Sequence, residues 1–351
     1  MAEKTTGTGA QTSETALISR RSVMKLIMLE EHATDPAITE ATKHMLHEAA
    51  PYILDFDPTR HENAQILENL DQNRIADMDA NGIDIQVISL SNYPQLLSSE
   101  EAVPLCRAAN ERLAAAVKKY PDRFAAFASL PLSNPAAAAA ELERTVTAHG
   151  FKGALILGRP GVGPVFLDDP RYMPVLAKAG ELQVPLYLHP GFPQRDVQNI
   201  YYAGLNPVVT VPISTYGWGW HNEAGIQVLR LILSGAFDTI PGLTVIAGHW
   251  GEMVPFFLDR LDAALPKDVT GLKRTIIETF RDQIYVTPSG MFTMPHFMFI
   301  MDVLGADRIL YSVDYPYHPN GGARGFLETA PISQTDREKI AHRNAERLLR
   351  L

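Results

Sequence analysis

The chain has a single cysteine, Cys106. No internal disulfide can form, and one thiol cannot by itself build a thiolate metal site. Its expected role is that of a small buried apolar residue, in a compartment where thiols stay reduced. Long apolar runs are also missing, since no stretch reaches the roughly 18 residues of a membrane-spanning helix. Nor is there a dense basic run. The 31 Lys and Arg against 40 Asp and Glu leave a formal charge of −9, so neither nucleic acid nor a membrane surface is an expected partner. No internal repeat and no Pro-rich linker divides the sequence. What is present, 46% hydrophobic and 20% charged residues in a chain of 351, supplies a large core and excludes disorder or coiled coil as a description of the whole.

The amino-terminal residues 1–19, rich in Thr, Gly, Ser and Ala, predict a disordered tail, with the folded body over 20–351. The segment Ser19-Arg20-Arg21-Ser22-Val23-Met24-Lys25 resembles the start of a twin-arginine export signal. The apolar stretch behind it, Leu26-Ile27-Met28-Leu29, stops at Glu30, whereas an export signal needs roughly 7–15 apolar residues. It reads better as a basic lead into a buried strand, and a cytoplasmic location is expected.

Eight apolar runs of strand length follow: Leu26–Leu29, Ile83–Leu90, Phe124–Leu130, Gly153–Leu157, Val184–Leu188, Leu243–Ala247, Gln283–Val286 and Arg308–Ser312. Helical patterns separate them, over Asn63–Asn81, Glu100–Tyr120, Pro135–Gly150, Pro170–Gln183, Glu223–Phe237, Gly251–Ala264 and Thr293–Leu304. Alternating β and α elements with continuously apolar strands imply a parallel sheet covered by helices. Eight units favour an α/β fold closed as a (β/α)8 TIM barrel in a single domain, with an open sheet as the alternative.

In such a barrel chemistry collects where strands end. The first run meets Glu30-Glu31-His32, the fifth His189, the sixth His249 and the eighth Asp314. Strand alternation puts Glu30 and His32 on one face and Glu31 on the other. Any one of these residues is more often a capping or hydrogen-bonding group than a ligand. Together, Glu30, His32, His189 and Asp314 form a mixed nitrogen and oxygen set suited to one divalent ion such as zinc or manganese. Without a cation, two carboxylates buried so close would cost several kcal/mol or hold a proton. Glu252, expected at the start of the next helix, is near enough in sequence to orient His249. Arg260, two turns on, reads equally well as an ordinary ion pair. The stretch from Tyr216 through Trp218, Trp220 and His221 to Glu223 could line an aromatic pocket or merely cap a loop, and His318 is expected on the rim.

The motifs Leu29-Glu30-Glu31-His32, Leu188-His189-Pro190, Gly248-His249-Trp250-Gly251-Glu252 with Arg260, and Ser312-Val313-Asp314-Tyr315-Pro316 resemble, in order and placement, the metal-dependent aromatic acid decarboxylases of the amidohydrolase superfamily, whose substrates include γ-resorcylate, dihydroxybenzoates and 5-carboxyvanillate. The likeness runs from about Lys25 to the carboxyl terminus. It implies a distorted (β/α)8 barrel holding one Zn2+ or Mn2+ ion through Glu30, His32, His189 and Asp314, and assembly as a homodimer or homotetramer. Hydrolytic members usually carry His-x-His on the first strand, and here Glu30 takes the first position. Leu157-Gly158-Arg159 offers no lysine for a bridged two-metal site.

The expected chemistry is decarboxylation of an ortho-hydroxybenzoate, in which the ring carbon bearing the carboxylate is protonated and CO2 leaves. Asp314 is the candidate proton donor, tuned by His249 and Glu252, with Arg260 contacting the carboxylate or fixing that pair. Asn92, Tyr216, Trp218, His221 and Tyr317 are candidate substrate contacts. The loops Ser89–Pro94 and 213–221 differ from the family's usual sequences, and Tyr317 stands where phenylalanine is expected, so an altered ring-substituent preference is anticipated. Two alternatives stay open: a metal-dependent hydrolase or hydratase of the same superfamily acting on an ester, lactone or ring-cleavage product, and, more remotely, an inactive binding barrel.

Overall fold

A computed structural model describes residues 24–50, 59–161 and 163–351. The expected tail over 1–19 and most of Ser19–Lys25 lie outside these residues. Seven parallel strands form two arcs. One holds β1 (Ile27–Ala33), β2 (Ile85–Leu90) and β3 (Phe124–Ala126); the other holds β4 (Ala154–Leu157), β5 (Leu186–His189), β6 (Val245–Ala247) and β7 (Ile284–Val286).

Backbone hydrogen bonds join the arcs on both sides. Ala128 N donates to Gly153 O at 2.8 Å and Leu155 N to Ala128 O at 3.2 Å, linking β3 to β4. On the other side the eighth predicted run is an extended segment, residues 309–313, that bridges β7 and β1. Leu310 N bonds Val286 O, Leu29 N bonds Tyr311 O, both at 2.9 Å, and His32 N bonds Tyr315 O at 2.7 Å. These bonds complete the ring of a distorted (β/α)8 barrel.

Side-chain alternation sorts the core into two layers. Ile27, Leu29, Val87, Phe127 and Tyr187 fill the inside of the ring, whereas Leu26, Met28, Ile88, Leu186 and Leu188 pack outward against the helices. No helix among the described residues is long and apolar enough to cross a membrane.

Three expectations about elements change. The helix expected over Asn63–Asn81 is two, Thr59–Glu68 and Gln72–Ala80, because the Asp71 side chain accepts from Asn73 N and starts a new one. Strand β1 does not stop at Leu29 but runs through the polar triplet to Ala33, with a register shift between Leu29 and Glu31. The helix expected from Gly251 begins only at Val254. Before it, His249, Trp250, Gly251, Glu252 and Met253 all have positive φ, between 45° and 85°, so Glu252 lies in a left-handed turn and not in a helix. The helix Pro36–Ala49, capped by Asp35, and the short helices from Ala323 to Leu349 were not foreseen.

Candidate active site

At the carboxyl ends of the strands, Glu30, His32, His189 and Asp314 each offer one ligand atom, and these atoms all lie within 4.8 Å of one another. Glu30 Oε1, His32 Nε2, His189 Nε2 and Asp314 Oδ1 are buried and without a hydrogen-bond partner. Buried polar atoms in folded proteins are rarely left so. His32 Nε2 stands 3.0 Å from Asp314 Oδ1, and His189 Nε2 stands 3.4 Å from Glu30 Oε1. Two imidazole nitrogens and two carboxylate oxygens, bare and convergent, fit one divalent cation.

Each candidate ligand is oriented from behind. Glu30, at φ 67°, turns its bare oxygen into the site. Its other oxygen, Oε2, accepts from the hydroxyls of Tyr187 at 2.5 Å, Ser312 at 3.2 Å and Thr287 at 3.4 Å, and from Ser289. Burial still pushes the Glu30 carboxyl above its ordinary pKa. Gly248 has no room for a side chain, since a Cβ there would come within 3.0 Å of Glu30 Oε1 and 2.9 Å of Ser289 Oγ. His189 Nδ1 faces Pro190 O at 2.8 Å; a carbonyl only accepts, so Nδ1 carries the proton and Nε2 keeps its lone pair. Burial pushes the His189 imidazole down to about 3, which keeps it neutral, as a ligand must be. His32 Nδ1 meets Ser89 Oγ at 3.3 Å.

His249 stands beside the ligands, its Nε2 3.9 Å from Asp314 Oδ2, too far for a hydrogen bond. Its Nδ1 bonds Glu252 Oε1 at 2.8 Å, and His221 Nδ1 bonds the other oxygen of the same carboxylate, also at 2.8 Å. Burial works to lower the pKa of His249, but the charges of Glu252 and Glu30 overcome it and hold the imidazole well above its usual value. Burial likewise opposes ionisation of Asp314, and here His249 and His32 prevail and hold the carboxyl well below the ordinary range. Without an ion in the site, these shifts favour a proton on His249 and a carboxylate on Asp314. His221, His249 and Glu252 also cluster at ligand distances, but their facing atoms are already bonded to one another.

The other expected site residues divide. Tyr317 lies at the mouth, its ring 5.6 Å from that of His32 and its hydroxyl 3.0 Å from Ser91 Oγ. His221 Nε2 bonds Tyr216 O at 2.9 Å, so both its nitrogens are engaged. Asn92 is buried, its Oδ1 accepting from Asp35 N and its Nδ2 donating to Thr39 Oγ1, which commits its amide to the fold. Tyr216 and Trp218 are half exposed on the loop above. Arg260 is not brought to the cluster: it is exposed on the helix Val254–Ala264, and both Glu252 oxygens are held by imidazoles. His318 is exposed on the rim.

Sequence reasoning missed the hydroxyl cage of Tyr187, Thr287, Ser289 and Ser312, and missed Phe192, which joins Tyr93 to the expected Tyr216–Trp220 stretch in an aromatic row in the loops after the strands. In that row Tyr93 stacks on Phe192 at 4.9 Å, Phe192 meets Trp220 at 5.6 Å, and Trp220 meets Tyr216 at 6.3 Å. A cavity of about 550 Å³ lined by Lys25, Asp84, Phe124 and Lys152 opens at the opposite end of the strands, away from these groups.

The amidohydrolase family profile matches residues 44–351. The chain is 36% identical over 293 residues to the gamma-resorcylate decarboxylase of Rhodococcus jostii, covering 79% of this chain and 87% of that one. Among solved structures, a dihydroxybenzoic acid decarboxylase from Polaromonas sp. JS666 with bound manganese and the inhibitor 2-nitroresorcinol superposes with TM-score 0.83 at 32% identity, over 93% of this chain and 97% of that one. A 5-carboxyvanillate decarboxylase from Sphingomonas paucimobilis superposes with TM-score 0.85 at 30% identity, over 93% and 99%. The barrel, the convergent ligand atoms and these likenesses agree: the chain belongs to the amidohydrolase family.

Proposed function

We propose that this chain is a non-oxidative, metal-dependent decarboxylase of ortho-hydroxybenzoate-type aromatic acids. The observation that carries the reading is the set of four buried, unpartnered ligand atoms on Glu30, His32, His189 and Asp314, with the His249–Glu252 pair beside it. The gamma-resorcylate decarboxylase relative, and the dihydroxybenzoic acid decarboxylase with its bound manganese, support it. So does the aromatic row, which offers ring faces to an aromatic ligand.

Glu30, His32, His189 and Asp314 would hold one divalent ion, Mn2+ or Zn2+, which supplies a positive centre for the phenolic and carboxylate oxygens of the substrate. The rest falls to the chain. Turnover takes one proton from solvent, because the carboxylate and a proton become an arene C–H bond and CO2. His249 stores that proton and passes it from Nε2 to Oδ2 of Asp314 when the two close from their resting 3.9 Å to hydrogen-bond distance. Asp314 delivers it to the ring carbon, whose bond to the carboxylate then breaks and returns its electron pair to the ring. Glu252 keeps His249 charged and aimed, and the buried setting keeps bulk water from intercepting the proton.

The test is CO2 release across a panel of hydroxybenzoates with metal-loaded protein, beside a panel of esters and lactones. Decarboxylation of ortho-hydroxybenzoates is expected; turnover of esters or lactones alone overturns the reading in favour of a hydrolase. Asp314→Asn should lower kcat by about 10²–10⁴ at full metal occupancy, the range of a general acid. A near-normal kcat in that variant with its ion bound removes Asp314 as donor.

We propose, further, assembly as a homo-oligomer. Ile200, Tyr201, Val208, Phe256 and Phe257 are all more than half exposed, apolar surface that a second copy would cover. Light scattering at micromolar protein should give a mass at least twice that of one chain.

A further inference from the structure

Glu31, the middle residue of Glu30-Glu31-His32, takes no part in the chemistry above, yet it is fully buried. Its Oε1 accepts from Val313 N at 3.0 Å and its Oε2 from Tyr315 N at 3.3 Å. Those two amides flank Asp314. Two of the ligands beside Glu31, Glu30 before it in sequence and Asp314 between its two bonds, hold left-handed backbone, at φ 67° and 68°. A residue with a side chain keeps that conformation only where its surroundings over-determine it.

The brace extends behind Glu31. Arg74, 2% exposed on the helix Gln72–Ala80, donates from Nη1 to His32 O at 2.7 Å and from Nε to Gln86 Oε1 at 2.7 Å. Its guanidinium lies 4.9 Å over the ring of Tyr315. His32 N bonds Tyr315 O as well. One carboxylate and one guanidinium thus hold the two amides that flank Asp314 and the carbonyl of His32, across the seam where the ring closes.

We propose that Glu31 is a positioning residue for the metal centre, holding Asp314 and Glu30 in their left-handed conformations so that their bare oxygens converge. Arg74 does the same for the His32 carbonyl. The inference rests on the reading of Glu30, His32, His189 and Asp314 as the ligands of one ion.

The experiment compares Glu31→Gln with the parent protein in three measurements: Mn2+ and Zn2+ dissociation constants by competition with a chelator, kcat and KM at saturating metal, and the melting temperature of the metal-free form. Glutamine has the shape of glutamate but only one acceptor oxygen, so one of the two amides beside Asp314 loses its partner. Metal dissociation constants are expected to rise by about 10–100-fold, the usual effect of losing a group that orients a ligand, and kcat to fall with little change in KM. A lower melting temperature with metal affinity and kcat unchanged would mean a purely structural role and overturns the proposal. Should Glu31→Gln fail to fold, Arg74→Lys keeps a cation below Glu31 but loses the fork that reaches His32 O. A folded Arg74→Lys variant with unaltered metal affinity overturns the proposal equally. If the parent protein takes up neither ion, the ligand reading itself fails, which separates that failure from this one.

Discussion

Glu30 divides its work between two oxygens, one gripped by hydroxyls and one left bare, and this division is the chemistry of the site in miniature. Removing part of the grip should loosen the ligand: Tyr187→Phe is expected to weaken metal affinity about 10-fold, measured by chelator competition. His221, clamped between Glu252 and Tyr216 O, should matter to proton handling and not to the ion. We expect His221→Phe to lower kcat by about 10-fold while metal affinity holds, and equal losses in both would contradict that separation. Cys106, whose thiol burial pushes up to about 12, should resist a thiol reagent at pH 8 until the chain unfolds. The four candidate ligands were legible in the sequence because each is an ionisable residue within three positions of the end of an apolar run. The hydroxyl cage was not, since Tyr187 reads as one more apolar strand residue and serine and threonine are common in strands. Nor could spacing show that His221 shares the carboxylate of Glu252, because 31 residues separate them.

The turn from His249 to Met253 is where local conformation and function meet. Five successive positive φ values are costly for L residues, at roughly 1–2 kcal/mol each outside glycine. That strain aims His249 at Asp314 while Glu252 points back to His249. Gly251 permits it: a Cβ there would come within 2.8 Å of Pro255 Cγ. Gly251→Ala should therefore destabilise the protein by about 1–3 kcal/mol in urea unfolding and lower kcat as well. Five of the eight predicted runs contain a bonded strand, and the eighth overlaps the closing stave over 309–312. β1 and β5 run beyond theirs to carry Glu30, His32 and His189, because buried polar residues at a barrel mouth break the apolar signal while the backbone pairing continues. The left-handed turn was invisible, since Gly251 is its one glycine and the rest of the sequence looks like a helix start.

At the scale of the molecule, the ion should act as a clamp on folding. At a metal concentration 100 times the dissociation constant, linkage gives about 2.7 kcal/mol of stabilisation, visible as a higher melting temperature that a chelator reverses. The metal-free protein should show a particular pH dependence. His189 titrates near 3 when native against 6.5 when unfolded, so on acidification below 6.5 the unfolded chain binds a proton that the native one does not, and stability falls. The raised Glu30 carboxyl opposes this above about 4.5, so urea midpoints of the metal-free protein should fall on acidification from about 4.5 towards 3. A midpoint that holds level between 4.5 and 3 would contradict a native His189 that stays neutral.

The closing seam has a further consequence, for synthesis. Residues 309–313 are the stave that bonds β7 to β1, and Asp314 follows directly, 284 positions after Glu30. A nascent chain emerging from the ribosome therefore exposes three ligands, Glu30, His32 and His189, long before the fourth is translated. High-affinity loading has to wait until almost the whole polypeptide has been made, and a product truncated ahead of Asp314 would carry most of the core and no finished cation cage.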